Sequence, residues 1–281
     1  MATVLDNSWV LSRFPDRDPY AHKGDFGRIL LLCGSKGYTG AAYLSAMGAL
    51  RCGAGLVYLG VPESIYAIEA IKLNEAIVFS LPDFGGKLSE AALGEIRSYF
   101  DKMDVILIGP GLGRSEGVKT CVEAVLREFS GPVIVDADGI NAIAGNMNIV
   151  RERHNPTIFT PHPGEFAAMG GDSTQDRVSA AQAFAREYSI VLMLKGHNTV
   201  ITDGATTYIN PTGNPGMAVG GSGDVLAGMV ASLIGQKFDP LTAAACAAYL
   251  HGQAGDVCAK EKGQYGMLPS DMVEVLPRLI K

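Results

Sequence analysis

Continuous apolar blocks of strand length recur along the chain, and each is followed by a turn and a segment of helical periodicity. Blocks without polar alternation are typical of parallel strands that helices cover on both faces. We predict strands at 28–34, 56–61, 104–109, 132–137, 157–160 and 190–196. We predict helices at 40–52, 88–100, 115–129, 174–188, 223–235, 240–260 and 271–280. This order predicts an α/β fold in which a parallel sheet lies between two layers of helices.

The pattern changes at 199–210, where Asp203 and Gly204 join two β-rich runs. An Asp-Gly pair between such runs is a strong hairpin signal. The predicted fold class is therefore a three-layer α/β/α sandwich with a mostly parallel central sheet. The sequence shows no composition break, low-complexity linker or internal repeat, so we predict that residues 1–281 form a single domain.

Charge and cysteine content narrow the possible partners and compartment. With 23 Lys and Arg against 29 Asp and Glu, the net charge of -6 argues against binding to nucleic acid or to an anionic membrane. The five cysteines are odd in number and none forms a CxxC pair, which disfavours a disulfide framework and a zinc site. The N-terminus lacks a signal-peptide pattern, and the apolar runs are too short to span a bilayer. We expect a cytoplasmic protein with free thiols.

Ligands of open parallel sheets bind beyond the carboxyl ends of the strands, so the loops that follow strands are the candidates for chemistry. The loop "GPGLG" can bring its backbone close to a ligand at Gly111 and Gly113, or it can be a plain tight turn. In "VDADG", Asp136 ends a strand and is a candidate contact to a substrate or a metal-bound water. Asp138 can cap the helix that follows.

Two further loops carry polar side chains at strand exits. "TPHPGE" holds His162 and Glu165 between stiffening prolines, as a ligand site or as a capped helix start. Zinc binding there is not expected, since no other ligand cluster accompanies the two residues. "KGHNT", residues 195–199, can contact phosphate through the Lys195 side chain and the backbone, or it can be a solvated turn.

The glycine-rich run "NPGMAVGGSGDVLAGMVA" leads into an apolar helix. Backbone N–H groups at Gly221–Gly223 lie at the helix start, where an anion binds favourably. Asp224 can be an ordinary first-turn acid that interacts with the helix dipole. If a phosphoryl group binds at the same place, we expect the dipole to lower the pKa of Asp224, so that the carboxylate accepts a proton from an attacking hydroxyl.

Six loops in this order resemble the motif set of the ADP/ATP-dependent NAD(P)H-hydrate dehydratases of the ribokinase-like superfamily. The motifs are "GSKGYTGAA", "IGPGLG", "VDADG", "TPHPGE", "LKGHNTVITDG" and "NPGMAVGGSGDVLAGMVA". The resemblance covers about residues 10–280. It implies a lyase that converts hydrated NADH and NADPH (NADHX and NADPHX) back to NADH and NADPH. ADP or ATP phosphorylates the ring hydroxyl, with Mg²⁺ as cofactor, and phosphate then leaves.

The resemblance also implies a role for each site residue. Asp224 is the base, and the backbone of Gly221, Ser222 and Gly223 is the anion hole for the transferring phosphoryl group. The implied nucleotide contacts are Lys195, Gly196, His197, Asn198, Thr199 and Gly223. The implied substrate contacts are Ala41, Gly111, Gly113, Asp136, His162 and Asp224. Glu165 corresponds to an acid that orients a magnesium-bound water.

Family analogy further implies a homotetramer and a functional pairing with a separate NAD(P)HX epimerase. The first alternative is a vitamin or sugar kinase of the same superfamily, whose product would be a stable phosphorylated alcohol. A dinucleotide-dependent dehydrogenase is disfavoured because the sequence lacks G-x-G-x-x-G. A non-catalytic nucleotide sensor would need neither Asp224 nor Lys195, and both are present.

Overall fold

Strands and helices alternate along the chain in the computed structural model, which describes residues 2–172, 174 and 176–280. The strands are β1 (Thr3–Val4), β2 (Arg28–Leu32), β3 (Leu56–Pro62), β4 (Ile77–Leu81), β5 (Asp83–Phe84), β6 (Lys87–Leu88), β7 (Val105–Ile108), β8 (Val133–Val135), β9 (Thr157–Phe159), β10 (Val191–Leu194), β11 (Thr199–Thr202) and β12 (Thr207–Asn210). The helices are α1 (Asn7–Leu11), α2 (Thr39–Arg51), α3 (Glu63–Lys72), α4 (Leu93–Ser98), α5 (Glu116–Glu128), α6 (Asp138–Ile143), α7 (Asn148–Arg151), α8 (Pro163–Ala168), α9 (Arg177–Tyr188), α10 (Ser222–Gly235), α11 (Pro240–Lys262) and α12 (Pro269–Val275).

Ten of the strands form one sheet in the order β1-β12-β11-β10-β9-β8-β7-β2-β3-β4. Every neighbouring pair from β4 to β10 is parallel, and among the described strands of this sheet only β11 runs against its neighbours. The predicted hairpin is confirmed as β11–β12, with Gly204 at a φ of 89°. The mostly parallel sheet is therefore confirmed.

The three-layer packing follows from the alternation of side chains along buried strands. In β2, Ile29 and Leu31 contact one core cluster, while Leu30 and Leu32 contact the other, and all four are fully buried. Helices α2, α10 and α11 cover the first face, and α5, α6 and α9 cover the second. Continuous apolar blocks are required because both faces of each strand lie against helices.

The predicted helix 174–188 is α9, which begins at Arg177, and residue 175 lies outside the described residues. Two other predicted helices differ more from the structure. The segment 88–100 begins in β6, which pairs with β5 in a small antiparallel ribbon, and only Leu93–Ser98 is α-helical. The C-terminal helix α12 ends at Val275 and continues as a 3₁₀ turn that contains Pro277, which cannot donate an N–H to an α-helical ladder. Strand β4 was not predicted, since its pattern of partly buried residues is that of a sheet edge.

The strand order reverses at β2, because the chain proceeds through β3 to β4 and then returns to pair β7 with β2. The loops after β2 and β7 meet at this point: Gly34 N donates to Pro110 O at 2.8 Å, and Ser35 Oγ donates to Gly111 O at 2.7 Å. Such a reversal creates a crevice at the carboxyl edge of the sheet, where ligands of α/β folds bind.

Glycines let the backbones of helices α2 and α10 approach each other closely where the two helices cross. A Cβ placed on Gly48 would lie 2.4 Å from Val225 O, and one on Gly228 would lie 2.0 Å from Ser45 O. This close crossing fixes the two helices relative to each other. All five cysteines are buried and free, as expected. Within the described ranges, no helix combines the length and apolarity needed to cross a bilayer.

Candidate active site

An ion pair between buried Asp136 and partly buried Lys195 lies at the carboxyl edge of the sheet. Asp136, directly after β8, accepts hydrogen bonds on Oδ1 from Thr160 Oγ1 at 2.7 Å and from Lys195 Nζ at 2.9 Å. Thr160 follows β9 and Lys195 follows β10, so three adjacent strands each supply one partner. Asp136 is 1 % exposed, and a carboxylate so buried needs such charge-assisted partners. This geometry favours a role for Asp136 in orienting Lys195.

Lys195 remains cationic at the start of α10. Burial disfavours its charged form, but the carboxylates of Asp136, Glu165 and Asp224 raise the pKa of Lys195 above its ordinary value. A Cβ placed on Gly223 would lie only 3.4 Å from Nζ, so the ammonium group lies beside the first turn of the helix. A fixed cation at a helix N-terminus is suited to binding a phosphoryl group.

The first turn of α10 lacks a side-chain cap. Its N-cap residue is Gly221, with a φ of 100°, which has no side chain to accept a hydrogen bond from the turn. Ser222 N donates to Val219 O at 3.3 Å, so this N–H of the predicted anion hole is already engaged. Among the described residues, the N–H groups of Gly221, Gly223 and Asp224 have no hydrogen-bond acceptor. These donors are available to an anion.

The pKa of Asp224 shifts in the direction opposite to the expected one. Burial, together with the negative charge of Asp136, raises the pKa of Asp224 to about 6, although Lys195 partly opposes the shift. The prediction that the helix dipole lowers this pKa is therefore wrong, because desolvation of the carboxylate is the larger effect. A carboxylate with a pKa just below neutrality is well matched to accept a proton.

Helix α8 begins with a complete capping box. His162 Nδ1 accepts from Glu165 N at 3.1 Å, and Glu165 Oε2 accepts from His162 N at 2.8 Å. The imidazole is 58 % exposed, whereas the Glu165 carboxylate is largely buried. The structure thus contains the capped helix start that the sequence left open. Contacts of His162 to a substrate and of Glu165 to a metal-bound water stay predictions.

The loop 195–199 is held by its own threonine and by an arginine that sequence reasoning missed. Thr199 Oγ1 donates to Gly196 O at 2.9 Å. Arg177, the first residue of α9, donates to His197 O at 2.8 Å, Leu194 O at 3.1 Å and Lys195 O at 3.2 Å. No sequence signal distinguishes this arginine from a solvated helix-start residue. His197 and Asn198 are exposed.

The loop 109–113 contacts both α2 and α6. Gly111 has a φ of 63°, and a Cβ on it would lie 2.6 Å from the Ala41 Cβ. Gly113 N donates to Asp138 Oδ2 at 2.8 Å. The expectation that Asp138 caps α6 is wrong: the N-cap residue is Ala137, without a side-chain cap, and Asp138 binds the neighbouring loop instead. The structure therefore brings three predicted substrate contacts, Ala41, Gly111 and Gly113, together.

His251 is a second residue that the sequence analysis missed. It lies in the alanine-rich helix α11, is 5 % exposed, and its pKa is lowered to about 4 by burial, although the Ser222 backbone favours the protonated ring. Its Nε2 has no partner among the described residues. The lowered pKa keeps this imidazole neutral beside Ser222 near neutral pH. His251 and Ser222 lie in different helices, so their proximity is not readable from the sequence.

The acids of the site do not form a complete metal cage. Within the described residues, no group of three or more His, Cys, Asp or Glu side chains is placed to hold a metal ion. Mg²⁺ commonly keeps several waters and takes one or two carboxylates together with substrate phosphates. Asp136 and Glu165, whose charges both act on Lys195, fit that limited contribution.

Known proteins with similar sequences and structures point to one family. The chain is 44% identical over 285 residues to a bifunctional NAD(P)H-hydrate repair enzyme of Moorella thermoacetica, covering 99% of this chain and 54% of the relative. It is 36% identical to an ADP-dependent (S)-NAD(P)H-hydrate dehydratase of Bacillus subtilis, covering 97% of this chain and 95% of the relative. The chain spans about half the length of the first curated relatives it matches.

Solved structures agree with the sequence relatives. A crystal structure of the ADP/ATP-dependent NAD(P)H-hydrate dehydratase from Bacillus subtilis, co-crystallized with ATP and Mg²⁺, matches with a TM-score of 0.84 and 32% identity, covering 99% of this chain and 97% of that one. Arabidopsis thaliana ribokinase matches with a TM-score of 0.57 and 12% identity, covering 89% and 98%, which shows the ribokinase-like fold alone. Residues 29–278 match the NAD(P)H-hydrate dehydratase family, and the chain belongs to that family.

Proposed function

We propose that this chain is a lyase that dehydrates NADHX and NADPHX to NADH and NADPH, with ADP or ATP as the phosphoryl donor. The observation that carries the proposal is the first turn of α10. There, unpaired N–H groups, the Lys195 ammonium and the Asp224 carboxylate meet. Family membership and the named activity of the Bacillus subtilis relative support the same reaction.

Phosphoryl transfer is the first step. The hydroxyl oxygen on the nicotinamide ring attacks the terminal phosphorus of the nucleotide, and the bond from that phosphorus to the bridging oxygen breaks, releasing AMP or ADP. Asp224 accepts the hydroxyl proton, for which its raised pKa is suited. The N–H groups of Gly223 and Asp224, with Lys195, stabilise the charge on the transferring group.

Elimination completes the reaction. The ring carbon–oxygen bond breaks, phosphate leaves with the electron pair, and the neighbouring ring carbon loses a proton to form the double bond of the reduced nicotinamide. Phosphate is a far better leaving group than hydroxide near neutral pH, so coupling to the nucleotide makes the dehydration feasible. The net products are the reduced dinucleotide, phosphate, and AMP or ADP.

The remaining residues bind and orient the two substrates. We place the nucleotide along the loop 195–199 and Gly223, with Arg177 holding the loop in one conformation. We place the hydrated ring among Ala41, Gly111, Gly113 and His162. Asp136 and Glu165 would hold Mg²⁺ through water, and the ion would neutralise negative charge on the phosphates.

Assembly, compartment and partners are part of the same proposal. We propose that residues 1–281 act as one domain within a cytoplasmic homotetramer, by analogy with the family. An epimerase that interconverts the hydrate epimers is the expected functional partner, and the bifunctional names of the longer relatives are consistent with such a pairing.

The direct test offers NADHX to the purified protein with Mg²⁺ and either ADP or ATP. We expect nucleotide-dependent recovery of the reduced-nicotinamide absorbance, with release of one phosphate per NADH formed. No recovery with either nucleotide would overturn the proposal. A superfamily kinase would instead consume nucleotide without releasing phosphate, because its phosphorylated alcohol is stable.

A further inference from the structure

A cavity that the mechanism does not use opens beside Gly113. It lies between the start of α5 and helix α6, and its volume is about 510 Å³. Sites for small molecules range over about 300–1,000 Å³, so the cavity is large enough for a nucleoside. Its position, next to a loop that follows a strand, is where α/β folds bind ligands.

The cavity adjoins the proposed binding site of the hydrated ring. Gly113 is both a lining residue and a proposed substrate contact, and its N–H is held by Asp138, which also lines the cavity. The cavity therefore lies next to Gly113, one of the residues proposed to contact the ring.

The lining carries groups that complement a nucleotide. Arg114 and Lys119 supply two cations at the exposed rim, and Asn141 supplies an amide that can both donate and accept. Glu116 is a carboxylate of the kind that accepts hydrogen bonds from ribose hydroxyls. Ala142, which is partly buried, adds apolar surface.

We propose that this cavity binds the adenosine half of the hydrated dinucleotide, with Arg114 and Lys119 facing the 2′-phosphate of NADPHX. The inference rests on the proposed function, since a dinucleotide substrate has a second nucleoside that must lie outside the ring site. Paired cations bind a phosphate, while Glu116 suits the free 2′-hydroxyl of NADHX. The cavity thereby accommodates both forms of the substrate.

A second cavity provides a matched control. Its volume is about 840 Å³, and it lies beside Gly53, which precedes β3, and Gln236, which follows α10. It is therefore at the amino edge of the sheet, opposite the site. Ala21 lines this cavity as Ala142 lines the first, and both alanines are partly buried.

The test compares A142W, A21W and the unmodified enzyme on NADHX and on hydrated reduced nicotinamide mononucleotide, which lacks the adenosine half. We expect A142W to lower kcat/KM for NADHX by roughly tenfold or more relative to the mononucleotide. A21W should leave kcat/KM for NADHX within about twofold of the unmodified value. Equal losses of kcat/KM for both substrates in A142W, or no loss, would overturn the proposed adenosine subsite.

A second experiment removes the positive charges at the cavity rim and does not depend on turnover of the mononucleotide. The double variant R114S/K119S should raise KM for NADPHX by roughly fivefold or more and change KM for NADHX by less than about twofold. Equal effects on both dinucleotides would contradict the 2′-phosphate contact. Turnover by the unmodified enzyme in the same assay separates this failure from failure of the proposed function, and thermal unfolding checks each variant's fold.

Discussion

Helices α8 and α10 begin at the same edge of the sheet, yet their first turns are satisfied in different ways. In α8, His162 and Glu165 bind each other's backbone N–H groups. In α10, Gly221 provides no side chain, and the N–H groups of Gly223 and Asp224 lack acceptors in the described part of the chain. The first turn of α8 is capped by its own side chains, whereas the first turn of α10 has N–H groups that can bind an anion.

The acids of the two turns differ accordingly. Glu165 stabilises its own helix start, whereas Asp224 is held beside Asp136 and Lys195 with its pKa raised to about 6. An acid in a first turn is therefore not informative by itself. Its function follows from whether a neighbouring side chain caps the helix and from which charges surround the carboxylate.

The largest effect is expected from Asp224→Asn in α10. Loss of the proton acceptor should lower kcat by about 100- to 10,000-fold, measured as recovery of reduced-nicotinamide absorbance from NADHX. Nucleotide affinity should remain, because the N–H groups and Lys195 are unchanged. Turnover within about threefold of the unmodified enzyme would contradict the assigned role.

Stability provides the control for that variant. The folded-state pKa of Asp224 is raised, so the folded protein binds more protons than the unfolded chain between about pH 4 and pH 6, and stability falls as pH rises through this window. Asp224→Asn removes this penalty. Its melting temperature should equal or exceed that of the unmodified protein above pH 6, and a clear decrease would indicate a structural role.

A matched pair of glycines sharpens the comparison. Gly223 and Gly164 each occupy the second position of their helix. A methyl group on Gly223 would lie beside Lys195 Nζ, so Gly223→Ala should raise the nucleotide KM by roughly tenfold. Gly164→Ala would only meet the His162 ring and should leave the nucleotide KM unchanged. Equal effects on the nucleotide KM would remove the distinction between the helices.

The pH profile tests the charge state of Asp224. Because the ionised carboxylate is the base, kcat/KM should fall by about tenfold per pH unit below about pH 6 and reach a plateau above it. A variant without the neighbouring acid, Asp136→Asn, should shift the midpoint to lower pH, since the charge of Asp136 raises this pKa. A profile without a midpoint between pH 5 and pH 7 would argue against the assignment.

The smallest effect is expected from His162→Ala in α8. Loss of the cap should destabilise the protein by about 1 kcal/mol, measured by denaturant unfolding. We expect a higher KM for NADHX and an unchanged KM for the nucleotide. A change in the nucleotide KM as large as that of Gly223→Ala would show that both helix starts contact the phosphates.

The sequence predicted the parts of the site that depend on local pattern. Buried strands, the loops after them and the glycine-rich start of α10 are readable because each has a short-range signal. Arg177 and His251 have no such signal, since their contacts cross between elements that are distant in sequence. The predicted direction of the Asp224 pKa shift was wrong for the same reason. Burial of the carboxylate and its proximity to the charge of Asp136 arise only in the folded chain.

In the proposed mechanism the ring hydroxyl attacks the nucleotide at the open start of α10. The most direct test uses NADHX with a heavy-oxygen label in that hydroxyl and analyses the released phosphate by mass spectrometry. We expect the label to appear in phosphate, because the ring oxygen forms the bond to phosphorus and leaves with it. Label found in water, with unlabelled phosphate, would contradict attack by the ring hydroxyl on the nucleotide.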